Sequence, residues 1–337
     1  MVFALRIKWE SGVSIEHKGT KIILDPHSRS LNYKAALITH AHVDHSHAFK
    51  VNYIPKFSSE ETRELVMLDG VSRVDRWRPI KEKERIAIDE VEVIPHPSGH
   101  VLGSYEFEIA TPEGTVLFTG DLNTRESRTV KPAEPVQCDI LIIESTYGSP
   151  DFVFPPDEII ARDMVDWANE ILSAGKIPVF QADSLGNAQE IIRIFNENSA
   201  IPVVSHRRVS RINRVYETHG CRMRYVDMED EHARELILNR NAVIVAPKRL
   251  DLSFSSDYVS ALVSGWALKF RRKSFPLSDH ADFPNLMEFI SDCKPKIVLT
   301  YHGGRHDSIL AKYVEKKLKI RAYPIDLIPT SFQSGIV

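Results

Sequence analysis

The residues best suited to chemistry lie in one short stretch, Thr39-His40-Ala41-His42-Val43-Asp44-His45, directly after the apolar run Ala35-Ala36-Leu37-Ile38. His40, His42, Asp44 and His45 crowd imidazoles and a carboxylate into a single loop. Packed this tightly, such groups repel and desolvate one another unless a cation holds them. Imidazole and carboxylate are the usual zinc donors, binding at about 2.0–2.2 Å. The cluster therefore predicts a metal site, and the rest of the chain must supply the remaining ligands.

Other ligand-type residues recur at the ends of apolar runs. Asp25 closes Lys21-Ile22-Ile23-Leu24, and His100 follows Val91-Glu92-Val93-Ile94 in a loop that Gly99 and Gly103 leave free to bend. Asp121 follows Thr115-Val116-Leu117-Phe118, Glu144 follows Asp139-Ile140-Leu141-Ile142-Ile143, and His302 follows Lys296-Ile297-Val298-Leu299. His280 lies in Leu277-Ser278-Asp279-His280-Ala281-Asp282. One zinc needs about three protein ligands and an exchangeable water, so this set exceeds a single site. It suits two ions about 3.5–4 Å apart that share a carboxylate, an arrangement that clamps both the attacking and the leaving oxygen of a phosphoester. Asp25, before Pro26, reads either as a turn-initiating residue or as a carboxylate that orients a ligating imidazole. The surrounding motifs favour the second reading.

These residues need elements to deliver them. Residues 3–25 alternate apolar and polar around Gly12 and Gly19, predicting antiparallel strands and turns. Residues 59–69 read as a short helix with an acidic first turn. Strand after strand then ends in a His or a carboxylate, the edge at which α/β folds usually carry their sites. After Phe154-Pro155-Pro156 the pattern changes. Asp157 to Ala174 predicts an amphipathic helix with Ile160, Met164, Trp167, Ala168 and Ile171 on one face and Gly175 as its stop. Short strands and helices alternate from there, predicting a second, mainly parallel α/β domain over 156–276, inserted between 1–155 and a return segment, 277–337.

The 337 residues suffice for such an arrangement. A hydrophobic content of 43% and a charged content of 26% are ordinary for a globular protein. The net charge of -3 advertises no polyanionic partner, so a nucleic-acid site has to be a local patch. Cys138, Cys221 and Cys293 are odd in number and widely separated, which excludes a disulfide framework and fits a reducing cytoplasm. Met1 to Glu10 lacks the apolar core of a signal peptide. No apolar run approaches the ~18 residues of a membrane span. The expectation is a soluble cytoplasmic protein without a membrane partner.

With these motifs in this order, the chain resembles the metallo-β-lactamase superfamily and, within it, the β-CASP nucleases. Asp25, the His40–His45 cluster, Ser98-Gly99-His100 and Thr119-Gly120-Asp121 carry the superfamily likeness. Glu144, His280 and His302 carry the branch. The resemblance implies an αββα sandwich with an inserted α/β β-CASP domain. It also implies two zinc ions per chain, with manganese as the alternative ion. His40, His42 and His100 would hold one ion and Asp44, His45 and His302 the other, with Asp121 bridging and Asp25 behind the ligands. Asp44, Asp121, Glu144 and His280 would form the catalytic set, in which His280, kept protonated by Glu144, donates a proton to the leaving oxygen. Without the resemblance, Glu144 reads equally as an acid capping a loop and His280 as a helix N-terminal residue. His47 is read as a bystander, and Tyr301-His302-Gly303-Gly304 departs from the family's acid-terminated version only in its last residue.

A polyanionic substrate requires cations. Arg207, Arg208, Arg211, Arg214, Arg222 and Arg224 cluster with only Glu217 opposing, and read equally as a solvated helix face or as phosphate contacts. Lys269, Arg271, Arg272 and Lys273 follow Ser264-Gly265-Trp266 and precede His280 by a few residues, and are assigned to phosphate. Trp266 itself reads as core rather than as a base-stacking platform. Leu185-Gly186-Asn187 opens a helix whose amides, Gly186 among them, are candidates for a terminal phosphate. Ser184 is either part of that site or an N-cap.

Three phrases are similar to ligase-associated, Artemis-like DNA exonucleases: Glu144-Ser145-Thr146-Tyr147-Gly148, Leu185-Gly186-Asn187-Ala188-Gln189-Glu190 and Ser264-Gly265-Trp266. The expectation is therefore a DNA exonuclease working from the 5′ end in DNA repair. The alternative is an RNA-processing exo- or endoribonuclease resembling mRNA 3′-end processing enzymes or RNase J. No residue can be assigned to a 2′-OH contact, so the sequence does not separate DNA from RNA. A thioester or lactone hydrolase needs no such inserted domain, and the full ligand set opposes a catalytically dead scaffold. A homodimer and partners in repair or RNA processing are left open.

Overall fold

The alternation in the first part of the chain folds as expected. The computed structural model of the protein describes residues 5–28, 32–71, 73–252, 255–328 and 332–333, so residues 3 and 4 of the predicted strands lie outside it. One sheet runs, in spatial order, Phe332–Gln333, Arg6–Trp9, Val13–His17, Thr20–Leu24, Ala35–Leu37, Lys56–Ser58 and Trp77–Pro79. Its meander pairs Ile7 with Ile15 and Ile15 with Ile22. Side chains alternate faces along a strand, so this register gathers Ile7, Ile15, Ile22 and Leu24 onto one buried face. Thr20–Leu24 and Ala35–Leu37 lie parallel with Leu24 opposite Leu37. That pairing brings Asp25 and Thr39 to the same end of the sheet, with the Asp25 amide donating to the Leu37 carbonyl at 3.0 Å.

The second sheet runs Arg321–Pro324, Ile297–Tyr301, Ile140–Glu144, Gly114–Phe118, Tyr105–Thr111, Val91–Pro97 and Ile86–Ile88. Its central strands are parallel, with Phe118 opposite Ile142 and Glu144 opposite Tyr301. This common register sends Asp121, Glu144 and His302 to one edge. The two sheets face each other through Ile7, Ile15, Leu24 and Leu37 on one side and Phe107, Phe118, Ile142 and Leu299 on the other, all buried in one cluster. The opposite face of the second sheet buries Leu117, Leu141, Ile143 and Val298 against the helices Phe283–Cys293 and Arg305–Tyr313. Both faces are apolar, as parallel strands flanked by layers require.

A second unit comprises Ser127–Val130 and Phe152–Asp279. Its six strands are all parallel, in the order Val226–Asp227, Val203–Ser205, Val243–Pro247, Ile177–Ala182, Tyr258–Val263 and Ser274–Phe275. The helix Asp157–Ser173 buries Ile160, Met164, Trp167 and Ala168, with Ile171 half-buried. The strap 127–130 belongs to this unit because the Thr129 hydroxyl donates to Glu190 Oε1 at 2.7 Å and the Ser127 hydroxyl donates to the same oxygen. Contacts of that length in sequence have no local signature. No helix among the described residues is long and apolar enough to cross a membrane.

Candidate metal centre and proton donor

Each ligand-type residue is held by the turn that delivers it. Asp25 accepts from the Thr39 amide at 2.8 Å and from the Thr39 hydroxyl at 2.7 Å, and its Oδ2 lies 2.8 Å from His45 Nδ1. The same hydroxyl lies 2.9 Å from His40 Nδ1. A threonine has one hydroxyl proton, and giving it to Asp25 obliges His40 Nδ1 to be the donor in the second bond. His40 therefore presents the lone pair of Nε2, and His45 likewise turns Nε2 away from Asp25. A carboxylate behind the imidazole is the usual way to fix a ligating histidine.

His100 is delivered by a turn that needs glycine. Gly99 has φ +73°, and a Cβ there would meet the Asn123 carbonyl oxygen at 1.9 Å. The free ring nitrogens converge on Asp121, which is buried. Asp121 Oδ2 lies 3.4 Å from His40 Nε2 and 3.6 Å from both His45 Nε2 and His100 Nε2, and Oδ1 lies 3.9 Å from His302 Nε2. His100 Nε2 and His42 Nδ1 are 2.9 Å apart. On the other side His302 Nε2 lies 3.5 Å from Asp44 Oδ2 and 3.4 Å from His45 Nε2. His40/His42/His100/Asp121 and Asp44/His45/His302 thus form two of the groups that could hold an ion, and Asp121/Glu144/His280 forms a further one beside them, each with its donor atoms within 4.8 Å of one another.

These donors suit a cation. Ligands about 2.0–2.1 Å from a tetrahedral ion lie about 3.3–3.5 Å apart, close to several of these separations and too long for most hydrogen bonds. His40 Nε2 and Asp121 Oδ1 are buried without a hydrogen-bond partner. A buried orphan acceptor costs about 1–3 kcal/mol, which a coordinated ion would recover. Imidazole and carboxylate together match zinc.

Glu144 and His280 stand beside this centre. Glu144 Oε1 accepts from the Leu122 amide at 2.9 Å and lies 2.7 Å from His280 Nδ1, while Oε2 accepts from the Thr146 amide at 3.0 Å. The Ala281 amide donates to the Leu122 carbonyl at 2.7 Å, so the segments carrying Asp121, Glu144 and His280 are tied together. His280 Nε2 consequently points at Asp121, 4.0 Å from Oδ2.

Burial, the largest influence on His40, holds its pKa well below the ordinary range, and the neighbouring imidazole of His45 adds to the effect. Burial also opposes charge on His45, yet Asp121, Asp25 and Asp44 outweigh it and push that pKa up to about 10. For Asp121 burial acts upward, but His45, His280, His40 and His302 together hold it well below the usual carboxylate range. Glu144 is likewise lowered, the contact with His280 overriding burial. Without metal at neutral pH, His45 therefore carries a proton that an ion must displace. Titrating zinc into the metal-free chain at pH 7 should release about one proton from this group, read as a dependence of binding enthalpy on buffer ionisation enthalpy. A buffer-independent enthalpy would contradict the assignment.

Residues 266–324 match the family model described as the Zn-dependent metallo-hydrolase RNA specificity domain, RMMBL. A protein named "Probable DNA ligase" from Opitutus terrae is 30% identical over 287 residues, 80% of this chain and 27% of that protein. An "RNase J-like protein" from Methanocaldococcus jannaschii is 28% identical, covering 48% of this chain and 43% of that one. "RNase aCSPSF2" from Saccharolobus solfataricus is 24% identical over 85% of this chain and 72% of its own length. These matches support a metallo-β-lactamase, β-CASP nuclease family for the chain. A crystal structure of a protein of unknown function from Enterococcus faecalis shares this chain's fold, with a TM-score of 0.71, 14% identity, and 98% and 99% of the two chains covered. The chain spans less than half the length of the first two relatives.

Against the β-CASP ligand pattern, the structure brings together all of His40, His42, Asp44, His45, His100, Asp121 and His302, with Asp25 behind His45 and Glu144 against His280. Two positioning residues lacked an assignment in the sequence. Thr39 links Asp25 to His40, a role its place at a strand end hints at. Asp307 accepts from the Gly303 amide at 2.8 Å and from the Ser145 hydroxyl, holding the loop that carries His302. Its signal is an acid three residues into a helix that opens at Gly304. Gly303 itself admits no side chain, because a Cβ would lie 2.1 Å from the Ser145 carbonyl oxygen. Gly303→Ala should cost about 2–4 kcal/mol and displace His302. An unchanged melting temperature with unchanged zinc content would refute this.

Lys269, Arg271 and Arg272 are exposed in the second unit, as a polyanion site requires. Ser184 is not an N-cap and Gly186 is not an open donor. Gly186 is the cap, with φ +92°, and its amide donates to Gln189 Oε1 at 2.8 Å. The Ala188 amide is taken by the Asp183 carbonyl and that of Gln189 by Gly186. With these amides already bonded, the helix terminus offers a terminal phosphate fewer donors than the sequence suggests. The arginine helix Arg207–Thr218 buries Val209, Ile212 and Tyr216 as expected, but Glu217 is not its only acid: Arg214 pairs with Asp227 at 2.8 Å and Arg207 with Glu229 at 3.5 Å.

Proposed function

We propose that this chain is a zinc-dependent phosphodiesterase that hydrolyses nucleic acid, working on DNA from its 5′ end. The observation that carries the reading is the placement of Asp121, a buried carboxylate within 3.6 Å of three imidazole nitrogens and beside the Glu144–His280 pair. His40, His42 and His100 would hold one zinc, Asp44, His45 and His302 the other, and Asp121 would contact both. When bound, such a pair of ions supplies Lewis acidity that polarises a phosphoryl oxygen and acidifies water at neutral pH. The chain's own residues do the rest. Asp25 and Thr39 keep the ring nitrogens of His45 and His40 facing the site. Glu144 takes up His280 Nδ1, so Nε2 is the atom that delivers a proton to the departing sugar oxygen. Lys269, Arg271 and Arg272 bind backbone phosphates.

The relative named for DNA ligation, which matches 80% of this chain, supports DNA and a role preparing ends for joining. The ribonuclease names and the description of the matched domain support RNA as the second reading. A matched panel of 5′-phosphorylated single- and double-stranded DNA and RNA, resolved by end label, separates them. Stepwise shortening of DNA from the 5′ end is expected, and cleavage of RNA alone would reject the first choice.

A further inference from the structure

We infer that Trp266–Lys273 is a platform that stacks unpaired bases and binds the phosphates between them, so that the substrate is held as a single strand; the inference rests on the nuclease reading. The segment exposes Trp266 at 37%, Leu268 at 39% and Phe270 at 44%, three large apolar side chains in five residues. Interleaved with and following them are Lys269, Arg271, Arg272 and Lys273, all exposed, and the segment contains no carboxylate. In a chain of net charge -3 this is a local concentration of positive charge.

The exposure is built in. Ala267 is buried and anchors a short 3₁₀ turn, Gly265–Lys269, whose amides close back on Ser264 and Ala267 at 2.9 and 3.1 Å. Trp266 meets the ring of the buried Phe152 edge-on, centroids 5.1 Å apart at 83°, and the Lys269 ammonium lies 5.3 Å from the same ring. The Lys273 ammonium sits 4.7 Å from the Phe275 ring, and the Arg272 guanidinium 5.8 Å from that of Phe270. Trp266 is thus held against Phe152 while 37% of it stays exposed, and is neither pure core nor a loose surface residue. Exposed apolar groups of this size ordinarily mark a binding surface. Aromatic faces alternating with cations match a single strand, whose bases offer π-faces at each step and whose phosphates lie between them. A duplex hides those faces.

The test uses the full chain in chelator, so that nothing is cleaved, with fluorescence anisotropy of a short 5′-labelled DNA. Three ligands are compared: the normal strand, a strand of the same length carrying abasic residues, and a duplex. The normal strand should bind about tenfold more tightly than the abasic one. Trp266→Ala and Phe270→Ala should each weaken the normal strand by about tenfold and remove most of that discrimination, with Trp266→Phe restoring it in part. Arg271→Ala with Arg272→Ala should instead flatten the salt dependence. Phe270, the more exposed ring, keeps the test decisive if Trp266→Ala fails to fold. Equal binding of normal and abasic strands would overturn the platform, as would binding to anionic phosphatidylserine vesicles with none to the strand. The same oligonucleotides with zinc separate the two readings. Cleavage without base-dependent binding rejects the platform alone, and base-dependent binding without cleavage rejects the nuclease.

Discussion

Asp121→Asn should lower the rate of phosphodiester cleavage by on the order of a thousandfold or more and strip the chain of most of its zinc. The side chains are nearly isosteric, so the fold is expected to remain. An amide, however, offers one weakly basic oxygen and a donor nitrogen where the wild type has a carboxylate within 3.4 Å of His40 Nε2 and 3.6 Å of His45 and His100. The change also removes the strongest influence raising the pKa of His45. Proton release on zinc binding should therefore fall in the variant along with affinity. Circular dichroism, metal analysis and cleavage on one preparation check all three. Undiminished cleavage would sink the mechanism.

His280→Ala should separate proton delivery from metal binding. His280 is absent from the His40/His42/His100/Asp121 and Asp44/His45/His302 groups, converges instead with Glu144 and Asp121, and is fixed by Glu144 at 2.7 Å with Nε2 directed at Asp121. General acid catalysis by a placed imidazole contributes about 10²–10⁴-fold, and a loss in that range is expected on natural phosphodiesters with zinc content unchanged. A p-nitrophenyl phosphodiester has a leaving group that departs without a proton, so on it the variant should approach wild type. Glu144→Gln should follow the same pattern more weakly, because the imidazole loses its orienting carboxylate but stays in place. Equal losses on both substrates would mean that His280 acts through the metal or the fold.

The candidate metal centre was legible because its donor residues are few, chemically distinctive and strung on strand ends whose apolar runs announce them. His40–His45 needs only a tight turn, and the parallel register that sends Asp121, Glu144 and His302 to one edge follows from runs such as Leu117-Phe118 and Ile142-Ile143. What escaped were partnerships made across space. Thr39 and Asp307 act through bonds to residues whose position only the fold defines. The strap at 127–130 joins the second unit through Glu190, some sixty residues on in sequence. The sequence after Leu185 suggests open amides for an anion, whereas in the fold the Gln189 side chain turns back to accept from the Gly186 amide. Likewise the arginines of Arg207–Thr218 meet Asp227 and Glu229, acids outside their own helix that only the fold brings to them.

The central claim, two ions sharing Asp121 in a nuclease, is tested most directly by adding zinc to the metal-free chain and following initial cleavage of a 5′-phosphorylated DNA strand. Activity should rise to a plateau at about two equivalents per chain and stay flat in Asp121→Asn. A plateau at about one equivalent, or cleavage that survives exhaustive chelation, would contradict it.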